Sequence, residues 1–553
     1  MSLISPLAAV LSAMAIVLGL LFFPNMTPQP TLHPRVGWRK ENASTLRAAL
    51  RSCYKLNDWA LEGYNAYAKL NIPYVLPSFD RGPITIIPAR LMRRLYTLPD
   101  TDLDIRMTQQ ETNQTRWVAW DKKPAEDTFV WDVLRKQITR NLRQLTPIVA
   151  SEIELSFNRW WGTDKEWKSI DIWDSCWKIV TGGINTTLCG SPLCRDAEFL
   201  QSCQNHSLGG LVWFVCAILF NTTMKRSKAV VQERLEKTAM LRAEPTYDWK
   251  PPQDAIQWII DDLYASDNLT QLNAKTICFR LLLLNDVSIP STSFSVQTLL
   301  LNLFAADPAL GFLEALREEC QTVYTESGGV WTYDALKKLK ITESAIRESL
   351  RLSPVGGIGL HRTVISTPFT YPCIPPICLE PILCDEMLRS RLIENKLQVV
   401  NPKGISLPDY RLNLPHGTVI ASPIEPIHYD DDIYPHANEY NAFRFADPEA
   451  VRAILDKLSS EPNSNISTGG PRDRESKSAA STANIDEAFL AFGIGKHICP
   501  GRFFVMVEMK LILAIILVHY DVKPVKVKPK LVDCLWLKVP WNSGTLVVRR
   551  RSN

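Results

Sequence analysis

FLAFGIGKHICPGRFF, from Phe489 to Phe504, sets one cysteine between two glycines and a long apolar run. Gly493 and Gly495 permit a tight turn that can aim backbone N–H groups at the sulfur of Cys499. Beyond Gly501, the residues from Arg502 into MVEMKLILAIILV read as a helix. A cysteine ahead of a helix is, taken alone, a small buried hydrophobe. A Phe, two Gly, a His, a Cys, a Pro and a Gly in this order form too long a pattern for that reading to suffice.

The pattern Phe492-x-x-Gly495-x-His497-x-Cys499-x-Gly501 resembles the heme-binding loop of cytochromes P450. The resemblance implies that Cys499 is the axial thiolate of a heme iron, a ligand that favours O–O cleavage. Backbone donors and a dry shell would tune that ligand. It further implies that Phe492 packs beside the heme, that Gly493 and Gly495 shape the turn, and that His497 faces a heme propionate. Gly501 would let the following helix approach the porphyrin.

Four upstream pieces stand in the order this family has. Glu348-Ser-Leu-Arg351 resembles its E-x-x-R helix, where residues three apart share a face and pair. By the same resemblance, Arg444 in Pro435-HANEYNAFRF completes a structural triad with them. An exposed helical ion pair is the plain alternative. Trp131-x-x-x-Arg135 resembles the helix that supplies a propionate contact, a task suited to the planar guanidinium fork; Arg140 competes for it. Arg362, after His361, resembles a second propionate ligand, with 354–359 lining the substrate pocket.

The fourth piece departs from the family. Where Ala/Gly-Gly-x-Asp/Glu-Thr is usual, the chain has Ser288-Ile-Pro290-Ser291-Thr292-Ser293. Thr292 is expected to relay protons to bound dioxygen, with Ser291 in place of the acid and Pro290 kinking the helix. A helix hydroxyl bonded back to the preceding turn is the alternative for Thr292.

The remaining sequence bounds the class. The 553 residues are 46% hydrophobic and 22% charged, ordinary globular chemistry. A net charge of +4 is too mild to imply a nucleic-acid partner. The 13 cysteines include no C-x-x-C pair, which removes zinc-ribbon and thioredoxin-type sites. LISPLAAVLSAMAIVLGLLFF, from Leu3 to Phe23, is uncharged and long enough to span a bilayer; a cleaved signal peptide is the rival reading, but it would carry a basic n-region, and none stands here. Arg35, Arg39 and Lys40 follow the segment, which places the body of the chain in the cytosol. Sequons such as Asn42-Ala-Ser are then accidents of composition.

Helices are expected over 132–145 and 310–324, and short strands at 74–76, 85–87, 418–421 and 546–548. The apolar run 208–220 is short for a span and reads as a buried or membrane-surface helix. Ser459 to Asn484 reads as a disordered surface loop. Residues 365–398 form an insertion where the family has few residues, and an intron translated by gene prediction would explain it; a transcript carrying these codons would sink that idea.

The expected fold is mainly α with small β-sheets, the cytochrome P450 fold, with one N-terminal transmembrane helix. Residues 1–24 would be the anchor and 25–553 the catalytic domain, held at the endoplasmic reticulum. The implied cofactor is heme b, with electrons from NADPH through NADPH-cytochrome P450 reductase. Lys496, Arg502 and Lys510 would supply charge for docking that reductase. The implied reaction inserts one oxygen atom from dioxygen into a lipophilic small molecule, by resemblance a fungal terpenoid, alkaloid or polyketide. Oxidative ring closure, desaturation or coupling is the alternative. A heme-binding pseudoenzyme and a heme-free membrane protein are further alternatives.

Overall fold

The computed structural model describes residues 33–79, 82–104, 129–209, 213–364, 404–410, 412–458, 487–534, 537–540 and 544–551. The N-terminal apolar segment, the insertion 365–398 and the stretch 459–484 lie outside the described residues. Among the described residues no helix is long and apolar enough to cross a membrane. The chain divides into two compact units, one of residues 1–105, 357–426 and 533–537, the other of 106–356, 427–532 and 538–553.

The first unit contains helices α1 (Ser44–Ala66) and α2 (Ala89–Tyr96) and strands β1 (Tyr74–Leu76), β2 (Ile84–Ile86), β3 (Leu103–Asp104), β4 (Gly359–Val364), β5 (Ile405–Leu407), β6 (Leu412–Leu414) and β7 (Val419–Ser422). Five of these form one sheet in the order β1-β2-β7-β4-β3, and β5 and β6 pair separately. Every residue of β1 and β2 is buried, including the polar Thr85. The strand expected at 418–421 begins one residue later. The Thr418 amide closes a turn onto the Pro415 carbonyl at 3.1 Å, with Gly417 at φ 77° inside it. Tyr74 packs over α1, its hydroxyl donating to the Ala60 carbonyl at 2.8 Å. A Cβ at Gly63 would lie 2.2 Å from that ring, so only glycine fits there.

The second unit is a helical body. Its main helices are α3 (Leu142–Trp160), α4 (Ile172–Leu188), α5 (Ala197–Gly209), α6 (Trp213–Ala243), α7 (Ala274–Phe304), α8 (Phe312–Glu326), α9 (Lys340–Leu352) and α10 (Arg502–His519). Helix α7 packs against α4, α5, α6, α9 and α10. Its residues from Thr292 to Phe304 are all buried. The helix runs unbroken through Pro290. A small antiparallel sheet joins 168–171, 520–522 and 545–550.

Two expected helices differ in their limits. The 132–145 pattern splits: a turn at 129–132 passes into a wider one over 133–138, where the Thr139 amide reaches back five residues to the Leu134 carbonyl. The Thr139 hydroxyl takes the same carbonyl at 3.0 Å, and α3 starts afresh at Leu142. The 310–324 pattern starts at Phe312, because Gly311 at φ 67° ends the short turn before it. The run 208–220 is divided between α5 and α6, whose limits are Gly209 and Trp213.

Helix α9 carries Glu348 and Arg351, and its start is fixed from another helix. Glu319 of α8 accepts the backbone N–H groups of Lys340 (2.7 Å), Ile341 (2.7 Å) and Thr342 (2.8 Å), and the Thr342 hydroxyl (2.7 Å). These are amides a helix start leaves without internal partners, and a carboxylate also suits the positive end of the helix dipole.

Candidate active site

Glu348, Arg351 and Arg444 meet in a fully buried cluster. Arg351 Nε and Nη2 each donate to Glu348 at 2.8 Å, and Arg444 Nε donates to Glu348 Oε1 at 2.9 Å. The Glu348 and Arg351 side chains are 0% exposed, so the pair is not a surface helical ion pair. The remaining guanidinium protons go to carbonyls. Arg351 Nη1 donates to His428 and Ala437, and Arg444 donates to Pro435 at 2.6 Å and His436 at 3.1 Å. One carboxylate facing two guanidiniums is offset by this ring of dipoles, the condition under which buried charge is tolerated.

The cysteine loop follows from the same framework. Gly493 and Gly495 adopt φ 82° and 79°, a backbone that side-chain-bearing residues rarely take. The turn they form lets the Gly493 amide reach the Leu490 carbonyl at 2.9 Å and the Cys499 amide reach the Phe492 carbonyl at 2.9 Å. Cys499 is partly exposed. Burial pushes its thiol up, while the N–H groups of Gly501 and Arg502 and the Arg502 guanidinium pull it down. Gly501 has an ordinary φ of −83°, so its backbone does not demand glycine. A Cβ there would meet only the Cys499 sulfur, at 4.0 Å, with open space otherwise. Phe492 and His497 are half-buried, and Lys496 is exposed.

Two cations border the loop. Arg502 Nη1 donates to the Cys499 carbonyl at 3.0 Å, and its buried Nε has no partner among the described residues. Arg135, four residues from the half-buried Trp131, is exposed. Burial lowers the Arg502 pKa, and the charge of Arg135 lowers it further. Arg140 makes no such contribution. Two guanidiniums that disfavour each other, one with an orphaned donor, suit an anionic group between them. A sulfur reached by two amides, a glycine cradle facing open space and this cationic edge together fit a heme bound through Cys499 and its propionates.

Arg362 belongs to the other unit. It lies in β4, where its backbone is opposite Ile420 of β7. Its side chain is outside the described residues.

In α7, Ser291 donates its hydroxyl to the Val287 carbonyl at 2.8 Å and Ser295 to the Ser291 carbonyl at 2.8 Å. These are the back-bonded hydroxyls that helices commonly hold. Thr292 does otherwise: its Oγ1 is buried and has no partner among the described residues, and neither has Ser293 Oγ. One turn before Pro290, Asp286 accepts Ser207 at 3.1 Å and lies 2.9 Å from His206 Nδ1, tying α5 to α7.

Lys510 corrects an expectation. It cannot offer charge to a docking partner, because it points inward, donating to Glu343 at 2.6 Å and to the Leu336 carbonyl at 2.9 Å. The reason is that α10 is apolar on nearly every face and buried from Met506 to His519. A lysine there must turn in and find a carboxylate. His428 is the residue that sequence reasoning missed. Its Nδ1 lies 3.0 Å from the Arg351 carbonyl, and its Nε2 accepts the Leu490 amide at 2.9 Å.

Comparison with known proteins agrees with this geometry. The cytochrome P450 family model matches residues 125–372 and 368–547. Cytochrome P450 monooxygenase okaG of Penicillium ochrochloron is 89% identical over 573 aligned positions, covering 100% of both chains. Cytochrome P450 monooxygenase gloP of Glarea lozoyensis is 30% identical, across 89% of this chain and 86% of its own. Cytochrome P450 monooxygenase htyF of Aspergillus rugulosus is 30% identical, across 89% of this chain and 68% of its own.

Proposed function

The chain belongs to the cytochrome P450 family, and from that premise we propose that it hydroxylates a lipophilic fungal secondary metabolite, a terpenoid, alkaloid or polyketide, using heme b. When bound, the heme supplies the dioxygen chemistry that a thiolate ligand promotes. The chain supplies ligation, orientation and protons. The single observation that carries the reading is the Cys499 loop: one sulfur facing two backbone N–H groups beside a glycine cradle.

Cys499 would ligate the iron, with the Gly501 and Arg502 amides stabilising the sulfur's negative charge. Phe492 and Gly501 would lie along the porphyrin, and His497, Arg135 and Arg362 would hold its propionates, Trp131 packing beside Arg135. Thr292 would hold a proton at Oγ1 for the oxygen site. That hydroxyl is not committed to its own helix, unlike that of Ser291. Glu348, Arg351 and Arg444 would hold the loop's foundation without touching substrate.

Electrons would come from NADPH through NADPH-cytochrome P450 reductase, with Lys496 and Arg502 at the docking face. Leu3 to Phe23 would anchor the chain in the endoplasmic reticulum membrane, the catalytic body in the cytosol. Oxidative ring closure or desaturation is a second reading, favoured by Ser291 standing where the family has an acid.

Reconstitution with a fungal reductase, NADPH and isotopically labelled dioxygen tests the reaction. Hydroxylation predicts one labelled oxygen atom in the product and none from water. An unlabelled product lacking two hydrogens would establish the second reading instead.

A further inference from the structure

We propose that His428 is a positioning residue of the thiolate centre: its imidazole, held between the Arg351 carbonyl and the Leu490 amide, fixes where the cysteine loop begins and so where the Cys499 sulfur lies. The inference rests on the heme-thiolate reading and assigns it a residue outside the loop.

The hydrogen bonds define the ring's state. An amide can only donate, so the Leu490 N–H makes Nε2 the acceptor, without a proton. A carbonyl can only accept, so Nδ1 carries the proton toward Arg351. The imidazole is therefore the neutral Nδ1–H tautomer, each nitrogen engaged. Burial pushes its pKa down to about 3, and the charges of Arg351 and Arg347 act in the same direction. Protonation would break the Leu490 bond, and burial, aided by these cations, opposes it at physiological pH.

The ring is fully buried and stacks on Phe489 at 5.7 Å and 17°. The Arg347 guanidinium lies over the Phe489 ring, 4.7 Å from its centroid, and Tyr434 donates to the Ala488 carbonyl at 2.9 Å. The chain entering the loop is thus gripped at three successive residues, and at Leu490 the grip is His428. From there the geometry propagates. The Leu490 carbonyl accepts the Gly493 amide, and the Phe492 carbonyl accepts the Cys499 amide, each at 2.9 Å. Because Arg351 also donates to the His428 carbonyl, the ring and backbone of one residue join the triad helix to the thiolate loop. A ring that merely filled space would need neither nitrogen.

The test compares full-length wild type with H428F, H428N and H428Q, each loaded with heme. Phe keeps the ring and its stacking but leaves the Leu490 amide and Arg351 carbonyl buried without partners. Gln can offer Leu490 an oxygen near the Nε2 position; Asn, one carbon shorter, can reach Arg351 but not Leu490. Three readouts are taken: heme per chain, the fraction of the ferrous–carbon monoxide complex in the red-shifted thiolate band, and the thermal midpoint. The proposal predicts that the ratio of thiolate to non-thiolate complex falls about tenfold in H428F, the scale set by an unsatisfied buried amide. It predicts recovery of most of that loss in H428Q and little in H428N.

Three results would overturn it: a wild-type ratio in folded H428F, equal ratios in H428N and H428Q, or ratios that follow only the thermal midpoint. Should H428F fail to accumulate, the Asn and Gln pair decides. A wild type with no thiolate band would refute the heme-thiolate reading itself, a failure distinguishable from that of His428 alone.

Discussion

Arg351→Met is expected to leave little folded protein and to cost about 3–5 kcal/mol, the range for breaking a buried ion pair by removing one partner. The substitution conserves apolar volume but removes every donor. Glu348 loses two hydrogen bonds of 2.8 Å and keeps a single guanidinium, that of Arg444. The Ala437 carbonyl loses a donor at 2.7 Å, and the His428 carbonyl loses another. The loss is a large share of the roughly 5–15 kcal/mol that holds a typical domain. Urea unfolding followed by far-ultraviolet circular dichroism measures it, with heme content as a second readout. The contrast is Glu326→Gln, which removes the exposed ion pair with Lys338 (2.9 Å, side chains 58% and 53% exposed) and should leave the midpoint unchanged. A wild-type midpoint in Arg351→Met would show that the triad is not the foundation of this body.

Thr292→Ala is expected to separate reaction from stability. The hydroxyl has no partner among the described residues, so its removal leaves no carbonyl or amide newly orphaned. The thermal midpoint should stay within about 1 °C, since the change removes no hydrogen bond and only a small buried group. Product formed per NADPH consumed should fall by about a hundredfold, the lower end of what a positioned proton donor contributes. NADPH would still be consumed, its electrons ending as reduced oxygen species. Ser291→Ala is the matched control. It removes a hydroxyl already bonded to the Val287 carbonyl and should leave the yield close to wild type. Equal yields in wild type and Thr292→Ala would remove Thr292 from the proton path.

These two cases show why parts of the molecule were legible in sequence. Glu348, Arg351 and Arg444 could be read because a motif fixes their types and order, and the folded chain puts both arginines on the one carboxylate of Glu348. Glycines 493 and 495 could be read because left-handed backbone leaves few residue choices. Short strands were legible to within two residues; at 418–421 the turn Pro415–Thr418 claims the first position. Other features depend on three-dimensional neighbours. Lys510 reads as a surface charge until the helix around it proves buried on nearly all faces. The wide turn at 133–138 depends on a hydrogen-bond choice that no residue pattern announces. His428 has no flanking signature at all; only the positions of Arg351 and Leu490, 77 and 62 residues away, give it a task. The same reason hides the substrate, since pocket shape arises from segments distant in sequence.

The most direct measurement of the central claim is the ferrous–carbon monoxide difference spectrum of the full-length protein beside Cys499→Ala. A strongly red-shifted Soret band in the wild type that disappears in Cys499→Ala is the predicted result, because only a thiolate donor pushes that much electron density onto the iron. Well-folded wild type that takes up no heme, or a band that survives in Cys499→Ala, would contradict the assignment of Cys499 as the ligand.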